Sequence, residues 1–155
     1  RLIGPDEAVI IDWGCICAGY ASDETVTVFT GEPGAEFARA YAAVYEAQQL
    51  AIAALKPGIR ASEVDKVARE HLRQQGLSEY FGHGLGHSLG LDVHEMPALN
   101  KKCKDKAEPG MLFTVEPGIY LPGWGGVRIE DVYMVKPDGL LRLTATPNQL
   151  LELDF

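Results

Sequence analysis

The sequence is short of basic residues, of cysteine and of long apolar runs, and each shortage excludes a class of protein. Lysine and arginine number 14 against 22 acidic residues, for a net charge of −8. This balance argues against nucleic acid or an anionic membrane as the main partner. The three cysteines, Cys15, Cys17 and Cys103, form neither a disulfide framework nor a CxxC metal pattern. No apolar run is long enough for a membrane span and the start shows no signal-peptide pattern, so we expect a soluble cytoplasmic protein with buried free thiols.

The remaining composition is that of one globular unit. The chain has 155 residues, of which 46% are hydrophobic and 23% charged, enough to bury a core. Apolar periodicity and turn residues predict strands and helices in a mixed order. Strands are expected at 8–16, 23–29, 111–121, 127–135 and near 141–144, helices at 34–55 and 62–75 with Ser62 as N-cap, and a loop at 97–109. His71 on the second helix is expected to be structural or on the surface. No linker interrupts this order, so we predict a single α+β unit.

A stretch at 80–95 concentrates histidine and glycine. It contains His83, His87 and His94 together with four glycines. The spacing of the first two histidines resembles that of HExxH zinc proteases, but the glutamate is absent and glycine is a poor helix former. Glycine instead allows a sharp turn or a close approach of the backbone to a ligand. Either these histidines are hydrogen-bonded turn residues, or they line a functional site.

Two predicted hairpins each place a pair of carboxylates side by side. If the first hairpin turns between Cys17 and Ala18, Asp12 lies opposite Asp23. If the second hairpin is centred at residue 123, Glu116 lies opposite Glu130. Opposed like charges repel, so a shared proton, an arginine or a metal ion must compensate each pair.

Four carboxylates and one imidazole can hold two divalent cations. Mn²⁺ is favoured by such oxygen-rich ligation, and Co²⁺ or Zn²⁺ are alternatives. Two such ions lower the pKa of a bridging water and polarise a substrate carbonyl. The chemistry predicted for this arrangement is hydrolysis of an amide or ester.

Five ordered motifs resemble one family. They read IDWG, GYASDETVT, FGHGLGHSLGLDVHE, TVEPGIY and GVRIED. Together they are similar to the pita-bread metallopeptidases, above all the Xaa-Pro dipeptidases (prolidases) and Xaa-Pro aminopeptidases. Methionine aminopeptidases share that fold, but GVRIED matches the proline-directed branch better, and creatinases work without metal. The resemblance covers nearly the whole chain and implies an α+β pita-bread fold.

The resemblance also implies roles for individual residues. The metal ligands would be Asp12, Asp23, His87, Glu116 and Glu130, with Asp23 and Glu130 bridging two ions.

Other residues would act on the substrate or support the ligands. His83 and His94 would contact the substrate and assist proton transfer, and Glu116 would also accept a proton from the attacking water. Arg128 would either support catalysis or form a salt bridge to a ligand carboxylate. Tyr20 and Glu95 are expected to support the site rather than to react.

The sequence departs from the family pattern in two ways, and each leads to an expectation about the protein. Val26 replaces the arginine of the family's DxTRT motif, which changes the charge behind the site. The family's catalytic domain has further helices, a strand and a histidine before the segment where this chain begins. We therefore expect residues 1–155 to be the C-terminal part of a longer protein, lacking the N-terminal helices and needing that polypeptide for full activity. Since relatives are often dimers, a homodimer is expected.

The predicted function is a metal-dependent exopeptidase that hydrolyses the Xaa-Pro bond of dipeptides or short peptides. A related aminopeptidase with another residue preference is the first alternative. A peptide-binding relative without turnover is the second, although such relatives usually lose ligands and all five are present here.

Overall fold

The computed structural model describes residues 1–153, which form two α-helices packed against short strands. The helices are α1 (Ala35–Ala54) and α2 (Ala61–Gln74). The strands are β1 (Ala8–Trp13), β2 (Ile16–Cys17), β3 (Tyr20–Ala21), β4 (Glu24–Thr30), β5 (Gly86–Ser88), β6 (Glu95–Leu99), β7 (Leu112–Val115), β8 (Gly118–Leu121), β9 (Gly125–Arg128), β10 (Asp131–Lys136), β11 (Gly139–Arg142) and β12 (Leu151–Leu153). Three-stranded sheets are formed in the orders β1-β4-β12 and β11-β10-β7, and the remaining strands pair as β2-β3, β5-β6 and β8-β9.

The first hairpin has a different register from the one predicted. In β1 and β4, Asp12 lies opposite Thr25, so the predicted pairing of Asp12 with Asp23 is wrong. The chain turns at Ala18 and Gly19, whose φ angles are 49° and 88°. A two-residue hairpin turn of type I′ needs positive φ at both central positions, and glycine supplies it more readily than cysteine. Moving the turn by one residue places Asp23 just before β4.

The second hairpin has the predicted register. Gly118 pairs with Arg128 in β8 and β9, and Val115 pairs with Asp131 in β7 and β10. The same register therefore holds on both sides of Glu116 and Glu130. Each predicted long strand is divided into two shorter strands at these glutamates. The strand predicted near 141–144 is β11, which begins two residues earlier than expected, and β12 was not predicted.

The two helices lie where the apolar periodicity predicts them. Each packs an apolar face into the core, with Val44 and Ala47 of α1 and Val64 of α2 fully buried. The N-cap of α2 is Arg60 rather than the predicted Ser62, and its backbone N–H donates to the Glu63 carboxylate at 3.1 Å. No helix within residues 1–153 is both long and apolar enough to cross a membrane.

The histidine–glycine stretch contains a short strand rather than only turns. Strand β5 pairs with β6, with Gly86 opposite Leu99, so the loop predicted from Pro97 begins later than expected. A Cβ on Gly86 would lie 2.0 Å from the carbonyl oxygen of Thr114. Glycine is therefore needed at 86 because β5 lies directly against β7, and this contact positions the next residue, His87.

The cysteines differ from the prediction in their burial. Cys103 is buried as expected, but Cys15 and Cys17 are exposed, and all three are free. Both residues of β2 are exposed, so the apolar run around Cys15 and Cys17 is not a buried strand. The predicted burial of these two thiols is wrong because the run ends in a two-stranded ribbon at the surface.

Candidate metal centre

Three of the predicted ligands converge from separate parts of the fold. Asp23 lies just before β4, His87 lies in β5, and Glu130 lies between β9 and β10. One ligand atom of each is within 4.8 Å of the others. Glu130 is only 2% exposed, and the side chains of Asp23 and His87 are largely buried. Two carboxylates and an imidazole at this distance can coordinate a metal ion.

The other two predicted ligands line the same cleft. Glu116 Oε1 lies 3.3 Å from His87 Nε2, and Asp23 Oδ2 lies 3.7 Å from that nitrogen. Asp12, at the end of β1, is further out, with 51% of its side chain exposed. The cleft has a volume of about 490 Å³ and is open to solvent on one side. All five predicted ligands therefore surround one cavity, with Asp12 at its rim.

The orientation of His87 suits metal coordination. Its Nδ1 lies 3.0 Å from the carbonyl oxygen of Ser88, and an N–H donated there leaves Nε2 directed at the carboxylates. Metal-binding histidines commonly hold their second nitrogen in this way. The backbone N–H of His87 donates to Thr114 Oγ1 at 3.0 Å, and that hydroxyl donates to Glu116 Oε1 at 3.0 Å. Thr114 thus links two ligands.

Burial, and after it the neighbouring negative charge, raises the pKa of two acids in the cleft. Burial is the main cause that raises the pKa of Glu130 to about 8; the charge of Glu116 adds to it, and a hydrogen bond from Thr25 opposes it. Burial and then the charge of Asp12 raise the pKa of Asp23. The pKa of His87 is raised overall. Burial is the largest single cause and lowers this pKa, but the contacts with Glu116, the Ser88 carbonyl and Asp23 together outweigh it. Crowded carboxylates with raised pKa values fit a bound cation, which would compensate their charge.

Arg128 forms the salt bridge that was one of its two predicted roles. Its guanidinium pairs with the Asp12 carboxylate and donates to the Tyr120 hydroxyl at 2.8 Å. It also donates to Thr25 Oγ1 at 3.3 Å. The arginine therefore holds the most exposed predicted ligand beside the buried ones.

The two predicted non-ligand histidines lie beside the metal cleft. The centroid of the His94 ring is 4.3 Å from that of His87. His83 Nδ1 lies 2.7 Å from the Gly84 carbonyl oxygen, while its Nε2 is buried and has no hydrogen-bond partner among residues 1–153. A second cleft of about 350 Å³ includes both histidines and shares Glu116 and Arg128 with the first. A bound molecule in the two clefts would contact ligands and histidines together.

Three further residues discussed from the sequence lie outside the group of predicted ligands. Tyr20 is 63% exposed on β3. Glu95 accepts the backbone N–H of Asp92 at 3.0 Å and so organises the turn before β6. Val26 is buried in β4 opposite Ile11, so the position of the family arginine lies within the sheet.

Two threonines that contact predicted ligands, Thr25 and Thr114, were not predicted from the sequence. Thr25 Oγ1 donates to Glu130 Oε2, and Thr114 joins His87 to Glu116. Both stand two residues from a predicted ligand, so both lie on the same face of an extended chain as that ligand. This spacing was the only signal available for them.

Known proteins resemble the chain in sequence and structure. A profile of metallopeptidase family M24 matches residues 1–137. The Xaa-Pro dipeptidase of Pyrococcus furiosus is 43% identical over 145 residues, covering 94% of this chain and 42% of that protein. The structure of dipeptidase PepE from Mycobacterium ulcerans gives a TM-score of 0.98 at 39% identity, covering 100% of this chain and 42% of PepE. The X-Pro aminopeptidase from Thermotoga maritima gives a TM-score of 0.95 at 38% identity, covering 97% of this chain and 43% of that structure.

The similarity extends over almost all of this chain, which spans less than half the length of each of these relatives. It confirms the predicted resemblance and the α+β pita-bread fold. Membership of a metallopeptidase family implies divalent metal ions, and the acidic cluster around His87 fits such ions. The chain belongs to metallopeptidase family M24.

Proposed function

We propose that the chain carries the metal centre of an exopeptidase that hydrolyses the Xaa-Pro bond of dipeptides or short peptides. The main support is the buried cluster of Asp23, His87 and Glu130 in a cleft open to solvent, within a chain similar to an Xaa-Pro dipeptidase over 94% of its length. Because the relatives are more than twice as long, we propose this activity for the whole natural polypeptide that contains the chain. Residues 1–155 would form part of its catalytic domain.

The five predicted ligands would hold two divalent ions. They are Asp12, Asp23, His87, Glu116 and Glu130. Four of the five donors are carboxylates, which favours Mn²⁺ and also permits Co²⁺ or Zn²⁺. When bound, such a pair supplies an activated water and polarises the scissile carbonyl.

The protein's own residues would then position the peptide and move protons. Glu116 has one carboxylate oxygen held by Thr114, and we propose that this carboxylate accepts the proton of the attacking water. The Nδ1 hydrogen of neutral His83 is used by the Gly84 carbonyl, so its free Nε2 can accept a proton, and as an imidazolium it can donate one. His94, beside His87, would donate a hydrogen bond to the peptide carbonyl. Arg128 would hold the Asp12 carboxylate in place through their ion pair.

The Xaa-Pro bond suits such a site for a chemical reason. It is a tertiary amide without an N–H, so an enzyme cannot recognise it by an amide hydrogen bond. Recognition must come from the carbonyl, the proline ring and the chain termini. A cleft with histidine, arginine and metal-binding groups offers partners for a carbonyl and a carboxylate.

A hydrolysis assay tests the proposal. The natural full-length polypeptide is stripped of metal and then supplied with Mn²⁺, with Ala-Pro and a longer Xaa-Pro peptide as substrates. We expect Mn²⁺-dependent release of the amino-terminal residue. Asp23→Asn and Glu116→Gln should abolish the activity and reduce bound metal. Asp138→Asn, the same chemical change at a surface carboxylate with 81% of its side chain exposed, should leave both unchanged.

The preferred substrate length separates the leading function from its closest alternative. Preference for longer peptides would favour an aminopeptidase, a possibility supported by the similarity to the Thermotoga maritima X-Pro aminopeptidase. Bound metal without cleavage of either peptide would contradict the exopeptidase proposal and favour a binding protein.

A further inference from the structure

Gln48 is a polar residue in the middle of α1, where the rest of the buried face is apolar. It is fully buried, at 0% exposure, and it belongs to none of the ligand motifs. A buried side-chain amide is costly unless its hydrogen-bonding groups are satisfied. Its partners therefore show what this position does.

The partners of Gln48 are neighbours of two predicted metal ligands. Its Nε2 lies 3.2 Å from the carbonyl oxygen of Val115 and 3.4 Å from that of Ile129. Val115 directly precedes Glu116, and Ile129 directly precedes Glu130. One amide group thus contacts the backbone of both chain segments that contain the glutamates, directly before each glutamate.

The same amide is held in a defined orientation. Its Nε2 donates to Asp131 Oδ2 at 3.0 Å, and its Oε1 accepts from the Asn148 amide at 3.1 Å. Gln49 Nε2 also donates to this oxygen, at 3.3 Å, so Asn148 and Gln49 together determine which end of the Gln48 amide faces the strands.

Asp131 anchors this arrangement. It follows Glu130 directly, is fully buried, and accepts hydrogen bonds from Arg142 Nε at 2.8 Å and Thr144 Oγ1 at 2.5 Å. Hydrogen bonds to a charged, buried group are stronger than those between neutral groups. The network therefore resists movement of the Gln48 side chain.

We infer that Gln48 is a positioning residue that sets the separation of Glu116 and Glu130 for metal binding. Within residues 1–153 it lines neither of the two clefts described above, and it acts through the backbone that directly precedes each glutamate. The inference rests on the proposed role of the two glutamates as ligands. Ligands must be held within about 0.5 Å of their working geometry. The pairing of the two segments is interrupted at the glutamates, between the pairs Val115–Asp131 and Gly118–Arg128, and Gln48 joins the two segments at this interruption.

The test compares metal binding in variants of the natural full-length polypeptide. Gln48→Met keeps a similar length and volume but removes the amide. Val44→Ala is the control, since Val44 is equally buried one turn earlier on α1 and is apolar. Mn²⁺ affinity of the metal-stripped proteins is measured by calorimetry, and the Co²⁺ absorption spectrum reports ligand geometry. Circular dichroism and thermal unfolding establish that each variant is folded.

We expect Gln48→Met to weaken Mn²⁺ binding by about 10- to 100-fold, the range seen when residues that support metal ligands are removed. Its Co²⁺ spectrum should change, whereas Val44→Ala should match the parent in both measurements. Asn148→Ala, in a partly exposed loop, should weaken binding in the same direction and provides the test if Gln48→Met does not fold.

Three results would overturn the inference. Parent-like affinity and spectrum in the folded variants at Gln48 and Asn148 would do so, and so would equal weakening by Val44→Ala. A parent protein that binds no divalent ion would overturn the proposed function and this inference together.

Discussion

Thr25 is hydrogen-bonded to Glu130 through both its side chain and its backbone. Its Oγ1 donates to Glu130 Oε2 at 2.5 Å, and its carbonyl oxygen accepts the Glu130 N–H at 3.0 Å. Thr25 also pairs with Asp12 across β1 and β4. This one residue therefore joins the sheet that carries Asp12 to the most buried carboxylate of the candidate centre.

Replacing Thr25 should weaken metal binding. Thr25→Val preserves the shape but leaves Glu130 without its hydroxyl donor, so we expect Mn²⁺ affinity to fall by about 10- to 100-fold. The loss of a buried hydrogen bond should also lower the free energy of unfolding by about 1–3 kcal/mol. Thr25→Ser keeps the hydroxyl and serves as the control in calorimetric titrations. Equal losses in the two variants would show that the hydroxyl does not matter.

The two kinds of histidine should respond differently to substitution. His87→Gln removes the only nitrogen among the five predicted ligands, so we expect loss of bound metal and of activity. His83→Gln should retain metal but lower kcat by about 10²- to 10⁴-fold, as when a group that transfers protons is removed. Metal analysis beside steady-state kinetics distinguishes the two outcomes. Loss of metal in His83→Gln would contradict its assignment as a non-ligand.

The metal-free protein should become less stable as pH rises from about 4.5 to about 8. In the folded state the pKa of Glu130 is raised from 4.5 to about 8, so between these values the folded protein binds more protons than the unfolded chain. By linkage, the free energy of unfolding then falls with increasing pH. The raised pKa values of Asp23 and His87 act in the same direction.

Thermal unfolding across this pH range checks the expectation. Glu130→Gln should have a flatter profile than the parent, and bound Mn²⁺ should remove much of the loss at high pH because it stabilises the ionised carboxylates. A metal-free parent as stable at pH 8 as at pH 5 would argue against the buried, protonated Glu130.

Gly86 should not tolerate a side chain. A Cβ there would lie 2.0 Å from the Thr114 carbonyl oxygen, so Gly86→Ala must push β5 away from β7 and should cost about 1–3 kcal/mol of stability. Gly82→Ala is the matched control, because a Cβ at 82 would meet no atom of residues 1–153 within 4 Å. Chemical denaturation gives the two values. Equal stability in the two variants would contradict the close contact of β5 with β7.

Local patterns predicted the helices and the second hairpin well. Helices α1 and α2 follow from apolar periodicity, because one face of each is buried in the core. The register around Glu116 and Glu130 followed from a turn rich in proline and glycine, since few other positions permit the reversal. The first hairpin was mispredicted by one residue because Ala18, an unusual residue for positive φ, occupies the turn with Gly19.

The supporting residues of the site were harder to predict. Gln48 bonds to carbonyl groups 67 and 81 residues away, and Thr25 bonds to a carboxylate 105 residues away. No local pattern marks the contacts of Gln48, and the spacing of Thr25 from Asp23 indicates only the side of the chain on which it lies, because either residue would fit equally well at a solvated position. Likewise, the apolar residues around Cys15 and Cys17 do not indicate that β2 lies at the surface.

The amino-acid sequence by itself determined which residues are available for metal binding and which family they indicate, because ligand chemistry depends on side-chain type and on order along the chain. The tertiary structure decided the relations among these residues: Asp23 beside His87 and Glu130, Asp12 at the rim with Arg128, and Gln48 behind both glutamates. Those relations depend on strand register and on packing between distant segments, which arise only when the core is assembled.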